Sequence, residues 1–310
     1  MTSVTVPPNL GDQLSDLVRS IMSEIRPKLI RAALSGNRGE SENTRHEDNF
    51  LSIHDMWMHD RYRDLLGGMI GSFVYASEEA EPQVVGQDAE PDLCIIVDPL
   101  DTSELAVRAL HGYTHVMVYS RSLARPIAAV VGDIFHEVQL YGAQRDSAGH
   151  DHAFVITRDG EKYELSQRKP KRLSQSIVTN FLMRPTERFV PLSQQTELIR
   201  ALDQPDDDGK SRGRIGVDFG SVSLCHVAAG FTEAVIEFAK GFAIWDLAPG
   251  HYILESAGGT VLDLGGEIVP LDYELRSRDD IAKAMNPRQK FVAAGSIELA
   301  REIVQTLRKG

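Results

Sequence analysis

Leu93-Cys94-Ile95-Ile96-Val97-Asp98-Pro99-Leu100-Asp101-Thr102-Ser103 carries more information than any other part of the chain. Its first five residues form an apolar run with the length and branching of a buried strand, and the run stops at two carboxylates, a proline and two hydroxyls. Pro99 has a fixed φ, which restricts the turn and lets Asp98 and Asp101 converge on one point past the strand end. Close, unscreened carboxylates raise one another's pKa, and a bound divalent cation is the usual relief. The stretch therefore predicts a strand whose end aims hard oxygen ligands at a metal ion.

Outward from this stretch, composition narrows the class. The chain has 310 residues, 42% hydrophobic and 25% charged, ordinary for a globular protein and too long for one small core. Lysine and arginine total 33 against 45 acids, a net charge of −12, which argues against nucleic acid or an anionic membrane as partner. A negative protein that handles phosphate needs metal ions to make its site locally positive. Cys94 and Cys225 lie far apart in apolar stretches, with neither zinc-knuckle nor disulfide spacing, and fit a reducing cytoplasm. Met1–Leu10 lacks the pattern of a signal peptide, and no apolar run reaches the length of a membrane span, so the expectation is a soluble cytoplasmic protein.

Upstream, apolar residues at helical spacing (Leu14, Leu17, Ile21, Ile25, Leu29) predict a long amphipathic helix over 10–34, stopped at Gly36. A polar stretch over 36–49 precedes a second helix over 51–71, with Asp55 near its start. Strand patterns follow at 72–77, 93–97, 115–120, 126–132, 137–141 and 153–157, and their turns suggest an antiparallel sheet. After the basic segment 167–173 the pattern changes to alternating strand and helix: strands at 176–181, 214–217, 233–238, 260–262 and 291–294, helices at 193–202, 221–229, 246–257 and 296–309. The change predicts an N-terminal α+β lobe over 1–175, with the antiparallel sheet and most of the acids, and a C-terminal α/β lobe over 176–310 that completes the site. Asp206-Asp207-Asp208-Gly209 lacks the alternating ligands of a calcium loop and reads as a solvated turn.

Four segments place acids at element ends: Asp55, Glu78-Glu79, Asp98 with Asp101, and Asp246 after Trp245. Taken singly, each also reads as a solvated turn, a turn starter or a helix cap. In order and spacing, Ser77-Glu78-Glu79, Asp98-Pro99-Leu100-Asp101-Thr102-Ser103 and Trp245-Asp246-Leu247-Ala248-Pro249-Gly250 closely resemble the metal-dependent, lithium-sensitive phosphomonoesterases typified by inositol monophosphatase. That family's signatures read Gly-Glu-Glu, Asp-Pro-Ile/Leu-Asp-Gly-Thr/Ser and Trp-Asp-x-Ala-Ala-Gly.

The resemblance implies a mixed α/β fold, the layered αβαβα sandwich of inositol monophosphatase and fructose-1,6-bisphosphatase, and commonly a homodimer. It implies that Glu78, Asp98 and the carbonyl of Leu100 bind one Mg²⁺, that Asp98, Asp101 and Asp246 bind a second, and that Asp55 reaches a third, looser ion through water. Glu78 and Ser103 would orient and deprotonate the attacking water, and the N–H groups of Thr102 and Ser103 would hold phosphate oxygens. Gly220-Ser221 resembles the small-residue helix start that lies against the substrate, and Glu237 is the nearest candidate for the acid that meets substrate hydroxyls.

Thr102 stands where the family has glycine, in a loop whose backbone approaches phosphate. Pro249 replaces the second alanine of the last motif and is expected in the first turn of its helix, where proline costs little. Lys240 reads either as a solvated residue or as a partner for a second anionic group. His111 and His115 take no assignment, because an isolated histidine is ordinarily structural or exposed. The leading expectation is Mg²⁺-dependent hydrolysis of an inositol, sugar or cyclitol monophosphate. A 3′-phosphoadenosine 5′-phosphate or fructose 1,6-bisphosphate type of activity is the alternative among enzymes, and a metal-binding regulatory protein of the same fold is the alternative outside them.

Overall fold

The computed structural model describes residues 9–43, 50–166, 169–205 and 208–307. In chain order these form α1 (Leu10–Ser35), the two-residue strands β1 (Glu40–Ser41) and β2 (Leu51–Ser52), α2 (Ile53–Ile70), β3 (Phe73–Ser77) and β4 (Ala80–Val85). Next come β5 (Leu93–Asp101), the single turn α3 (Ser103–Ala106), β6 (Tyr113–Ser120), β7 (Arg125–Asp133), β8 (Val138–Arg145), β9 (Asp151–Thr157) and β10 (Lys162–Leu165). Then follow β11 (Ile177–Asn180), α4 (Val190–Ser193), α5 (Thr196–Leu202), β12 (Arg214–Val217), α6 (Gly220–Ala229) and β13 (Ala234–Phe242). The chain closes with α7 (Ile244–Ser256), β14 (Thr260–Leu262), α8 (Arg278–Ala284), β15 (Gln289–Ala294) and α9 (Ile297–Leu307).

Two compact units result, Met1–Glu164 with Leu271–Pro287, and Leu165–Pro270 with Arg288–Gly310. Where the sequence leads one to expect a single cut near residue 175, the chain divides after Glu164 and returns α8 to the first unit.

In the first unit, α1 follows from its apolar stripe: Leu14, Leu17, Val18, Ile21, Met22, Ile25 and Leu29 are all buried, and the helix lies over β7 and β8. Burying one such side chain contributes roughly 1.5–3 kcal/mol, so the stripe rather than intrinsic propensity holds the helix. Gly36 ends it in the left-handed conformation, φ 73°. The sheet beneath has the strand order β10-β9-β8-β7-β6-β5-β3-β4. It is antiparallel from β9 to β5, but β3 and β5 run parallel. The expected wholly antiparallel order fails there because β4 forms a hairpin on the far side of β3, so the chain must return before it can enter β5. The sequence pattern does not announce β4, since Pro82 and Glu81 interrupt its alternation, and such residues are tolerated at a sheet edge.

The second unit holds the order β12-β11-β13-β15-β14, with β11 parallel to β12 and β13, and β15 antiparallel to β13 and β14. Leu198, Leu202, Leu299 and Ile303 of α5 and α9 bury a core with Val178, Ile236 and Val292 of the sheet. Asp206 and Asp207 of the acidic turn, Met1–Pro8 and Arg308–Gly310 lie outside the described residues. Among the described residues, no helix is long and apolar enough to cross a membrane.

Candidate metal and active site

In a regular strand, residues three apart point to opposite faces, so Asp98 and Asp101 of β5 should diverge. They do not, because the strand is bulged. Asp98 pairs with His115 and Asp101 with Tyr113, so three steps on β5 match two on β6. The one extra residue restores both carboxylates to the same face. The strand thus runs on through the motif to Asp101 instead of ending at Val97.

His115 lies directly across from Asp98 and therefore shares that face. Its Nδ1 is 3.8 Å from Asp98 Oδ2 and its Nε2 is 3.4 Å from Asp101 Oδ2. His115 is fully buried, as is Asp98. Asp98, Asp101 and His115 each offer a ligand atom, and these atoms lie within 4.8 Å of one another. Two carboxylates and an imidazole at that spacing are a donor set suited to a divalent cation. Reading along the chain misses His115; its pairing with Asp98 would have revealed it, but register across strands is not visible within one strand.

Asp55 is brought to the same region by the start of α2. Ser52 caps that helix, and the Ser52 N–H donates to Asp55 Oδ2 at 2.8 Å while its hydroxyl donates to the same oxygen at 2.6 Å. The other oxygen, Oδ1, accepts from the hydroxyl of Ser103, which also lies 2.6 Å from the Leu100 carbonyl. Burial raises the Asp55 pKa, only partly countered by the Ser103 and Ser52 hydrogen bonds. Glu78 follows β3, where Ser77 pairs with Val97, and its N–H donates to the Val97 carbonyl at 3.2 Å. The parallel pairing thus sets Glu78 beside the residue that precedes Asp98.

Thr102 occupies the left-handed region, φ 60° and ψ 38°, with its hydroxyl donating to the Asp101 carbonyl at 2.6 Å. A β-branched residue there is strained, and its N–H and that of Ser103 open the short turn α3.

In the second unit, Asp246 lies in the first turn of α7, behind the buried Trp245. Gly220, φ 33°, opens α6. Ser221 holds the start of α7: its hydroxyl donates to the Asp246 carbonyl at 2.6 Å and accepts from the Gly250 N–H at 3.2 Å. Glu237 is fully buried, and Arg188 Nε donates to its Oε2 at 2.8 Å while the N–H groups of Lys240 and Gly241 donate to Oε1 at 3.0 Å each. Its carboxylate is thereby engaged within the unit. Lys240 Nζ pairs with Glu187 at 2.7 Å.

The profile of the inositol monophosphatase family matches residues 17–305. The chain belongs to the inositol monophosphatase family. A fructose-1,6-bisphosphatase/inositol-1-monophosphatase of Methanothermobacter thermautotrophicus is 27% identical over 224 residues, 70% of this chain and 69% of that protein. A bifunctional NADP phosphatase/NAD kinase of Methanococcus maripaludis is 25% identical over 211 residues, 67% of this chain but 36% of the relative. The chain thus spans about a third of the length of one relative and two thirds of the other. Among solved structures, a calcium-bound inositol monophosphatase family protein from Staphylococcus aureus superposes with a TM-score of 0.67 at 15% identity, covering 96% of this chain and 94% of its own. At that identity the likeness concerns the fold, which is the mixed α/β fold of inositol monophosphatase and fructose-1,6-bisphosphatase.

Two departures from the inositol monophosphatase family signatures now have a structural description. Thr102 takes up the left-handed backbone for which glycine is suited, and keeps it despite its Cβ. Pro249 lies six residues into α7 and not in its first turn, because the helix begins at Ile244. There a proline removes a helical hydrogen bond, at a cost greater than the first-turn position predicts.

Proposed function

We propose that this chain hydrolyses a small phosphate monoester with Mg²⁺. The observation that carries the reading is the bulge in β5, which turns Asp98 and Asp101 onto one face in a chain matched by the family profile over residues 17–305. Glu78, Asp98 and the Leu100 carbonyl would hold one ion, and Asp98, Asp101 and Asp246 a second, with Asp55 toward a third. Divalent ions at such carboxylates supply positive charge to the phosphate and acidify water.

The chain's own part is positional and protonic. Ser103 links the Leu100 carbonyl to Asp55, so a water proton taken by the Ser103 oxygen can be matched by transfer of the hydroxyl proton to Asp55 Oδ1. Glu78 orients the same water, and the N–H groups of Thr102 and Ser103 hold phosphate oxygens. Gly220 and Ser221 set the start of the helix beside the substrate. Glu237, engaged with Arg188, shapes this region through the backbone it anchors.

The substrate class we favour is an inositol, sugar or cyclitol monophosphate. The relatives named for NADP phosphatase and fructose-1,6-bisphosphatase support including NADP and fructose 1,6-bisphosphate in the test, and 3′-phosphoadenosine 5′-phosphate is the further alternative beside them. Phosphate release from such a panel with Mg²⁺ separates these, and preference for bisphosphates overturns the monophosphate reading. Asp98→Asn should abolish turnover while leaving the thermal unfolding of the metal-free protein within a few degrees; a wild-type rate sinks the assignment. The strained Thr102 supports a second reading, a metal-binding protein without turnover, which predicts ion binding but no release from any ester. We further propose a cytoplasmic homodimer inhibited by Li⁺, checked by light scattering and by lithium titration of turnover.

A further inference from the structure

We propose that His115 is a metal ligand, giving this site a nitrogen donor beside its carboxylates and a preference for Co²⁺ or Zn²⁺ over Mg²⁺; this rests on the metal-centre reading of Asp98 and Asp101. His115 is fully buried on β6, opposite Asp98, and shares the face to which the β5 bulge returns Asp101. Its two nitrogens lie 3.4 and 3.8 Å from carboxylate oxygens. Two donors sharing one ion at bond lengths of about 2.1 Å stand roughly 3–4 Å apart, which is the spacing seen. Mg²⁺ favours oxygen and holds its waters, whereas imidazole suits the later first-row ions, so a nitrogen here tilts the order of affinity.

The test is calorimetric titration of metal-free protein with Co²⁺ and Mg²⁺ in wild type, His115→Ala and His115→Gln, with pulsed electron paramagnetic resonance of Mn²⁺-loaded protein for ¹⁴N coupling. Both variants should weaken Co²⁺ binding by about tenfold to a hundredfold and shift Mg²⁺ binding by less than about threefold. The imidazole ¹⁴N coupling should be present in wild type and lost in both. Absence of that coupling in wild type, or unchanged Co²⁺ affinity in both variants, overturns the proposal. If His115→Ala does not fold, the wild-type coupling and His115→Gln decide alone. Asp98→Asn distinguishes the two levels: if it keeps metal affinity the metal-centre reading falls, and if it alone loses binding only the role of His115 falls.

Discussion

Thr102 is where a single residue departs most from what its backbone asks. Its left-handed conformation costs an L-residue about 1–2 kcal/mol, and a glycine would return part of that, less about 0.5–1 kcal/mol for its freer unfolded chain. Thr102→Gly should therefore stabilise the protein slightly, by up to about 1 kcal/mol in urea unfolding, and a loss of that size would show that the hydroxyl bond to Asp101 outweighs the strain. Cys94 illustrates the opposite case, a residue whose burial alone sets its chemistry: its thiol is pushed up to about 12 and is inert as a nucleophile. Arg188 and Glu237 form a buried pair in which each charge compensates the other.

At the scale of elements, α2 is set by its first turn, where Ser52 and Asp55 cap one another reciprocally. His54 in that turn has its pKa lowered, first by burial and then by Lys28. Its folded pKa is below its unfolded value, so its contribution is present above that value, near 6.5, and is lost as pH falls through the folded pKa. The urea midpoint should drop as pH falls from about 7 to about 5, and His54→Gln should flatten that drop; equal slopes would assign it to other groups. The contact of α6 with α7 depends on Gly250, since a Cβ there would stand 2.4 Å from the Ser221 carbonyl. Backbone cannot yield as a side chain does, and Gly250→Ala should cost about 1–3 kcal/mol or more and disturb the Ser221 bond to Asp246. A thermal scan checks it, and an unchanged midpoint would mean that the helices part freely.

For the whole molecule, bound ions should act as ligands of the native state. A divalent ion at a hundred times its Kd adds about 2.7 kcal/mol, so the melting temperature should rise with Mg²⁺ or Mn²⁺ and fall on chelation, while Asp98→Asn abolishes the dependence. An equal response in that variant would place the ion elsewhere. The long apolar-patterned elements were legible in the sequence because helix and strand periods are local: α1, α2, β5 through β9 and the alternation from β11 onward all follow from spacing. β4 and α8 were not, since one is an edge strand broken by Pro82 and the other a short helix of seven residues.

The chain itself determined which acids the site draws on and in what order, because Asp98-Pro99-Leu100-Asp101, Glu78 and Trp245-Asp246 are covalent facts with family-like spacing. Only the tertiary structure decided that Asp98 and Asp101 share a face, that His115 joins them, and that Arg188 engages Glu237. The reason is physical. Periodicity along a strand reports which side of that strand is apolar, but which residue lies opposite is set by register with a neighbour, and one inserted residue at a bulge reverses the face of everything beyond it.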